Sequence, residues 1–148
     1  MSFKKFFHLI SYLQYPLMFT GLYFSLRPFI IGIELVKEDP SIFIENTNLM
    51  LIFIGLGLNF SSLQDTSNAH SNLTRKIYEG PIKGKIFLLI IMLMIGGTLG
   101  TGLIGYFSTE EKSWNDLSVG LIILALGMFG FLKAGAEMFE HHRLDKKG

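Results

Sequence analysis

Arg27 and Glu34 lie seven residues apart in an otherwise apolar stretch, roughly on one face if that stretch is helical. Pro28 follows the arginine and would remove a backbone donor and kink such a helix. A guanidinium at membrane depth suits an ion pathway or an anion site. It also suits a simpler role, reaching the headgroups or pairing with Glu34 or Glu45. Lys133 and Glu137 are four residues apart, one helical turn, in another apolar stretch. A proton-coupled carrier can use such a pair, and a lysine snorkelling beside a local partner has the same spacing. Asn59, Ser61, Ser62, Gln64 and Asp65 close a third apolar run, with Asn59 and Ser62 on one face. They predict interhelical hydrogen bonding, with Gln14 as a partner, or a wet crevice open at one surface. No ionisable residue falls at the middle of an apolar run, where a transport site belongs.

Other chemistries lack their parts. The chain has no cysteine, which excludes disulfides, thiolate metal sites and cysteine nucleophiles. His8 and His70 are isolated, and His141 and His142 diverge on a charged tail, so no metal-ligand spacing is present. No phosphate-cradling glycine motif and no serine nucleophile elbow occurs. Asp65, His70 and Glu79 are the acid–base set that a lipid-modifying enzyme would have, and their spacing fits no known scheme. Formal net charge is +1, without the field that draws nucleic acid. The sequence therefore predicts no catalytic residue, no metal, no cofactor and no nucleic-acid partner.

The elements that carry these residues follow from composition. Of 148 residues, 49% are hydrophobic, 17% are charged and 14 are phenylalanine. Ordinary soluble domains have about 25% charged residues. The runs 86–107 and 117–132 hold no charge and show no polar stripe, so water is an unsuitable solvent for them. Residues 9–26 form an uncharged run that continues past Arg27. The weakest run, 49–58, needs Ile42, Phe43 and Ile44 before it and Phe60 and Leu63 after it to reach across a bilayer. The expected fold is a single all-α membrane domain over residues 1–148. Four transmembrane helices, at about 9–35, 41–64, 85–107 and 117–140, form a compact antiparallel four-helix bundle. Lys4 and Lys5 before an apolar run resemble a secretion signal, but Arg27 and Pro28 interrupt it and no small-x-small cleavage site follows.

Charge sets the expected orientation. Lys4, Lys5, Arg75, Lys76, Lys83, Lys85, Arg143, Lys146 and Lys147 would share one side, nine basic residues against Lys37 and Lys112 on the other. The other side carries Glu38, Asp39, Glu45, Glu110, Glu111 and Asp116. The positive-inside rule then places both termini, the loop 65–84 and the tail 141–148 in the cytoplasm. Tyr12, Tyr15, Tyr106 and Trp114 fall at the expected headgroup depths. Asp39-Pro40 marks a helix start and Gly80-Pro81 a break. The loop reads as solvated, with a short surface helix carrying Leu73, Ile77 and Tyr78 as the alternative.

Small residues recur at four-residue spacing in Gly96/Gly100, Gly97/Thr101/Gly105 and Gly130/Ala134. That spacing lets helix backbones approach, and the third span has small residues on more than one face. Residues 51–58 match 121–128 at four of eight positions, as a tandem helical-hairpin repeat would. The Phe-, Ile-, Lys- and Asn-rich style points to a bacterial inner membrane. The leading expectation is a non-enzymatic structural or regulatory subunit of an inner-membrane assembly, with the lipid bilayer and either copies of itself or other membrane subunits as partners. The alternative is a small oligomeric transporter or ion channel. Reporter fusions should place the amino and carboxyl ends in the same, cytoplasmic compartment; ends in different compartments would defeat the four-span reading.

Overall fold

The computed structural model describes residues 3–63 and 72–142, and all its regular elements are α-helices. In chain order they are α1 (Phe3–Ser11), α2 (Gln14–Ile31), α3 (Ile33–Glu38), α4 (Ser41–Ser61), α5 (Asn72–Glu79), α6 (Pro81–Ser108) and α7 (Lys112–His142). Three of these, α4, α6 and α7, are long and apolar enough to cross a membrane. At 1.5 Å per residue even α4 reaches about 30 Å, the thickness of a hydrocarbon core.

The relative strengths of the first two spans are reversed from the sequence expectation. The run expected as one helix over 9–35 is interrupted twice. Tight three-residue bonds, Tyr12 N–H to the Leu9 carbonyl at 3.2 Å and Leu13 N–H to the Ile10 carbonyl at 3.0 Å, separate α1 from α2. Gly32, at a φ of 117°, separates α2 from α3 in a conformation that a Cβ disfavours. By contrast, α4 is continuous. Asp39 Oδ1 accepts from the Ser41 backbone at 3.0 Å and from its hydroxyl at 2.6 Å, which fixes the entry. Asn46 and Thr47 then donate to the carbonyls of Ile42 and Phe43 one turn back, at 2.6 and 2.8 Å. Polar residues that bond to their own helix do not interrupt it.

The long polar connection also differs from a solvated loop. Residues 72–79 form α5, and α6 begins at Pro81, whose missing N–H costs nothing in a first turn. Tyr78 is 2% exposed and meets the Phe87 ring edge-on at 5.9 Å. Its hydroxyl lies against Gly135 of α7. One aromatic side chain thus anchors α5 across the adjoining ends of α6 and α7.

Three interfaces join the long helices in the order α2–α4–α7–α6. The outer two are antiparallel hairpins. Gly21 of α2 packs on Met50 and Ile54, and Phe24 stacks on Phe53 at 5.6 Å. In the other hairpin Gly102 packs on Ser118 and Ile122, and Gly84 on Phe139. The central interface is parallel, because contacts advance together along both helices: Gly120 against Asn48 and Leu51, Gly127 against Gly55, and Gly130 against Asn59 and Ser62. This corrects the expected compact antiparallel bundle, since α2 and α6 do not close against each other. The segments that resemble each other in sequence lie side by side at this central crossing.

Burial is inverted relative to a water-soluble domain. Among the described residues the buried apolar side chains are Tyr78, Ile91, Ile95, Ala125, Ala134 and Phe139, whereas Phe19, Ile30, Leu93, Ile104 and Phe107 stand exposed on the helix flanks. Such a surface suits lipid and not water. The central crossing has no space for a side chain. A Cβ at Gly55 would lie 2.8 Å from the Ile123 carbonyl oxygen, and one at Gly127 would overlap the Gly55 carbonyl. Gly127→Leu should therefore lower bundle stability by about 3 kcal/mol or more, the upper range for overpacking against backbone; detergent-micelle unfolding followed by circular dichroism checks this.

Candidate functional site

The charged residues singled out from sequence do not converge. Arg27, near one end of α2, has its guanidinium 6.0 Å from the centre of the Phe24 ring, which itself stacks on Phe53 of α4. This is a cation–π contact. Glu34 lies on α3, beyond the break at Gly32, so the shared helix face expected for Arg27 and Glu34 does not exist. Among the described residues neither Glu34 nor Glu45 forms an ion pair with Arg27. Lys133 and Glu137 do meet, at 3.8 Å, near the opposite end of α7. Their side chains are 78% and 46% exposed, so the pair sits on the outer surface. An exposed pair of this kind is a weak interaction and a natural snorkelling arrangement.

Asn59 and Ser62 share a face of α4 and turn it toward Gly130 of α7, as their spacing predicts. The Ser62 hydroxyl donates locally, to the Asn59 carbonyl at 2.7 Å. The Gln14 backbone carbonyl reaches Gly57, which places α2 beside this polar end of α4. Gln64 and Asp65, the remaining members of the set, lie outside the described residues.

The small residues fall into two groups. Gly105 packs on the Ser118 hydroxyl, Gly130 on Asn59 and Ser62, and Ala134 is buried. Gly96, Gly97 and Gly100 have no neighbouring atom within 4 Å of where a Cβ would stand. Thr101 is exposed beside them and donates to the Gly97 carbonyl at 2.8 Å. The four-residue spacing found both groups but could not tell inward from outward, because that depends on how α6 rotates against α7.

Several structural polar groups escaped the sequence reading. Asn46 is 4% exposed, and the carbonyl oxygens of the Asn46 and Asn48 side chains are buried with no hydrogen-bond partner. Asn48 faces Gly120, so an α7 glycine makes room for an α4 amide. Helical periodicity puts Asn46 on the stripe of Met50, Ile54 and Gly57 that meets α2. That stripe was the available signal. Ser118 is buried under Gly105 and donates to the Trp114 carbonyl at 2.9 Å. Tyr78 appeared only in the alternative surface-helix reading.

Among the described residues the arrangement offers helix-to-helix fit rather than a convergent acid, base or metal set. No family model matches the chain, and no curated protein or solved structure is significantly similar to it.

Burial raises the Tyr78 phenol above its ordinary value of 10.0. The neutral phenol is the form that docks α5, so the linked stability is complete below pH 10 and is lost as pH rises through the folded-state value. Alkaline titration should therefore show one tyrosine ionising later than the rest, with release of α5 as it ionises. Tyrosinate absorbance of the wild type against Tyr78→Phe checks this, and a late-ionising tyrosine that persists in the variant would remove the assignment.

Proposed function

We propose that this chain is a non-enzymatic structural or regulatory subunit of a bacterial inner-membrane assembly. In this reading it crosses the bilayer four times, with α2 as the fourth span beside α4, α6 and α7, and keeps both termini in the cytoplasm. The parallel packing of α4 on α7, together with the likeness of 51–58 to 121–128, supports a duplicated helical hairpin.

One observation carries the subunit reading. Of the thirteen glycines within the described helices, ten touch a neighbouring helix, and the three that touch nothing are Gly96, Gly97 and Gly100, together on one stretch of α6. Glycine in a helix costs about 1 kcal/mol relative to alanine. At the other ten a close approach by a neighbouring helix, through backbone or side chain, offsets that cost. A helix from another chain, a second copy or a different membrane subunit, would do the same for this group. A transport pathway through Asn59, Ser62, Lys133 and Arg27 has weaker support, because the first two pack on Gly130 while the two cations lie at opposite ends on separate helices.

The test substitutes the two groups of glycines separately. Gly97→Leu and Gly100→Leu should abolish association, read by light scattering and by cross-linking of single-cysteine variants in mild detergent. They should leave thermal stability of the isolated chain within about 1 kcal/mol, the scale of the helix-propensity change. Gly102→Leu, on the inward face, should do the reverse. A wild-type protein that is strictly monomeric and captures no membrane partner would overturn the proposal.

A further inference from the structure

We infer that α1 is a membrane-surface arm that seats on anionic lipid headgroups at the basic end of the helix row. The inference rests on the membrane reading and is independent of the subunit reading. Along α1 a helical turn of 100° per residue separates Phe3, Phe6, Phe7, Leu9 and Ile10 from Lys4, Lys5 and His8 without exception. Five apolar residues in nine would ordinarily be covered by the rest of a fold. Here Phe6, Phe7 and Leu9 are not: Phe6 is 46% and Leu9 62% exposed, and Phe7 is equally open. The fully buried Ser11 is the point at which α1 joins the bundle.

A tighter turn at Tyr12 and Leu13 marks the boundary between α1 and α2. Tyr12 and Tyr15 flank this turn, half-exposed, with rings 6.1 Å apart. Amphipathic rings favour headgroup depth. A basic amphipathic helix beginning at that depth buries its apolar face by lying in the interface, about 5–10 Å into the headgroup–acyl boundary.

Charge selects the kind of lipid. Lys5 is exposed on the polar edge of α1, and Lys76, Lys83 and Lys85 are exposed at the same end of the row. Among the described residues at that end, the acids Glu79, Glu137 and Glu140 each make an interaction within the chain. The exposed lysines face the surface, and a phosphatidylglycerol-type headgroup is their complement. The seat uses the apolar face to gain depth and the lysines to select charge.

Because the chain has no cysteine, one introduced cysteine labels one position. The full-length protein is reconstituted into phosphatidylcholine vesicles with increasing phosphatidylglycerol, carrying an environment-sensitive fluorophore at Leu9→Cys or, separately, at Lys5→Cys. The Leu9 probe should shift to apolar emission as phosphatidylglycerol increases and be quenched by shallow but not deep lipid-borne quenchers, while the Lys5 probe remains aqueous. Lys4→Gln with Lys5→Gln should lower the ratio of seated to lifted α1 roughly thirtyfold, taking about 1 kcal/mol per basic residue near an anionic surface. Two results would overturn the inference: a Leu9 probe that stays aqueous at every lipid composition, and one whose apolar emission ignores phosphatidylglycerol. Gly97→Leu, which addresses association, should leave the Leu9 signal unchanged.

Discussion

The close approach of α4 and α7 at Gly55 and Gly127 is the constraint on which the rest of the structure depends. In lipid, apolar side chains gain nothing by leaving the solvent, so helices associate through dispersion at short range and through shape. Dispersion decays steeply with separation, and two helices without side chains at the crossing can bring their backbones together. The flanking contacts extend the same device. Gly120 receives Asn48, and Gly130 receives Asn59 and Ser62. Gly120 and Gly130 thus give α4 polar groups somewhere to sit other than among lipid tails. The outer helices α2 and α6 then attach to the far sides of this central pair.

Most hydroxyl and amide donors described within the row are satisfied locally, although the Asn46 and Asn48 side-chain carbonyl oxygens are buried without a partner. Thr20, Asn46, Thr47, Ser62, Thr101 and Ser118 each donate to a carbonyl three or four residues back on the same helix. Such bonds let a polar residue exist at membrane depth without committing it to a neighbour. They also form no chain of donors and acceptors from helix to helix. The ionisable groups follow the same logic: Arg27 lies over an aromatic ring near one end, and Lys133 with Glu137 lies outside near the other. The polar content of this chain is thus arranged to be tolerated by lipid, and its helix fit is arranged by glycine.

Hydropathy made α6 and α7 legible because both are long and apolar on all sides. It undervalued α4, because Asn46, Thr47 and Asn48 read as polar interruptions although the first two bond to their own helix. It overvalued the first span, because a backbone turn at Ser11–Gln14 and a left-handed Gly32 leave no trace in hydropathy. The Arg27–Glu34 spacing was suitable for a pair and was defeated by that same glycine. In α5 the polar residues hid a stripe of Leu73, Ile77 and Tyr78 that was already present in the sequence. What remained illegible is rotational: which α6 glycines face α7 is decided by α7, and no single helix encodes it.

The parallel central pair has a consequence for assembly. A hairpin that enters and leaves on one side keeps its orientation when duplicated in tandem, so the second helices of both copies run the same way, as α4 and α7 do. The two hairpins nevertheless differ. Residues 32–40, including α3, connect α2 to α4, whereas 109–111 suffice between α6 and α7. The outer face of α2 is bulky, with Phe19, Leu22, Leu26, Phe29 and Ile30 exposed, while that of α6 has the uncovered glycines. If the α6 edge is adhesive, as proposed, a row whose other edge is bulky cannot extend indefinitely. If α6 meets α6, the contact is self-complementary and closes at two chains; if it meets a different subunit, this chain terminates that side of the assembly. On the proposed reading, the difference between the two hairpins, rather than their likeness, limits how many chains can join.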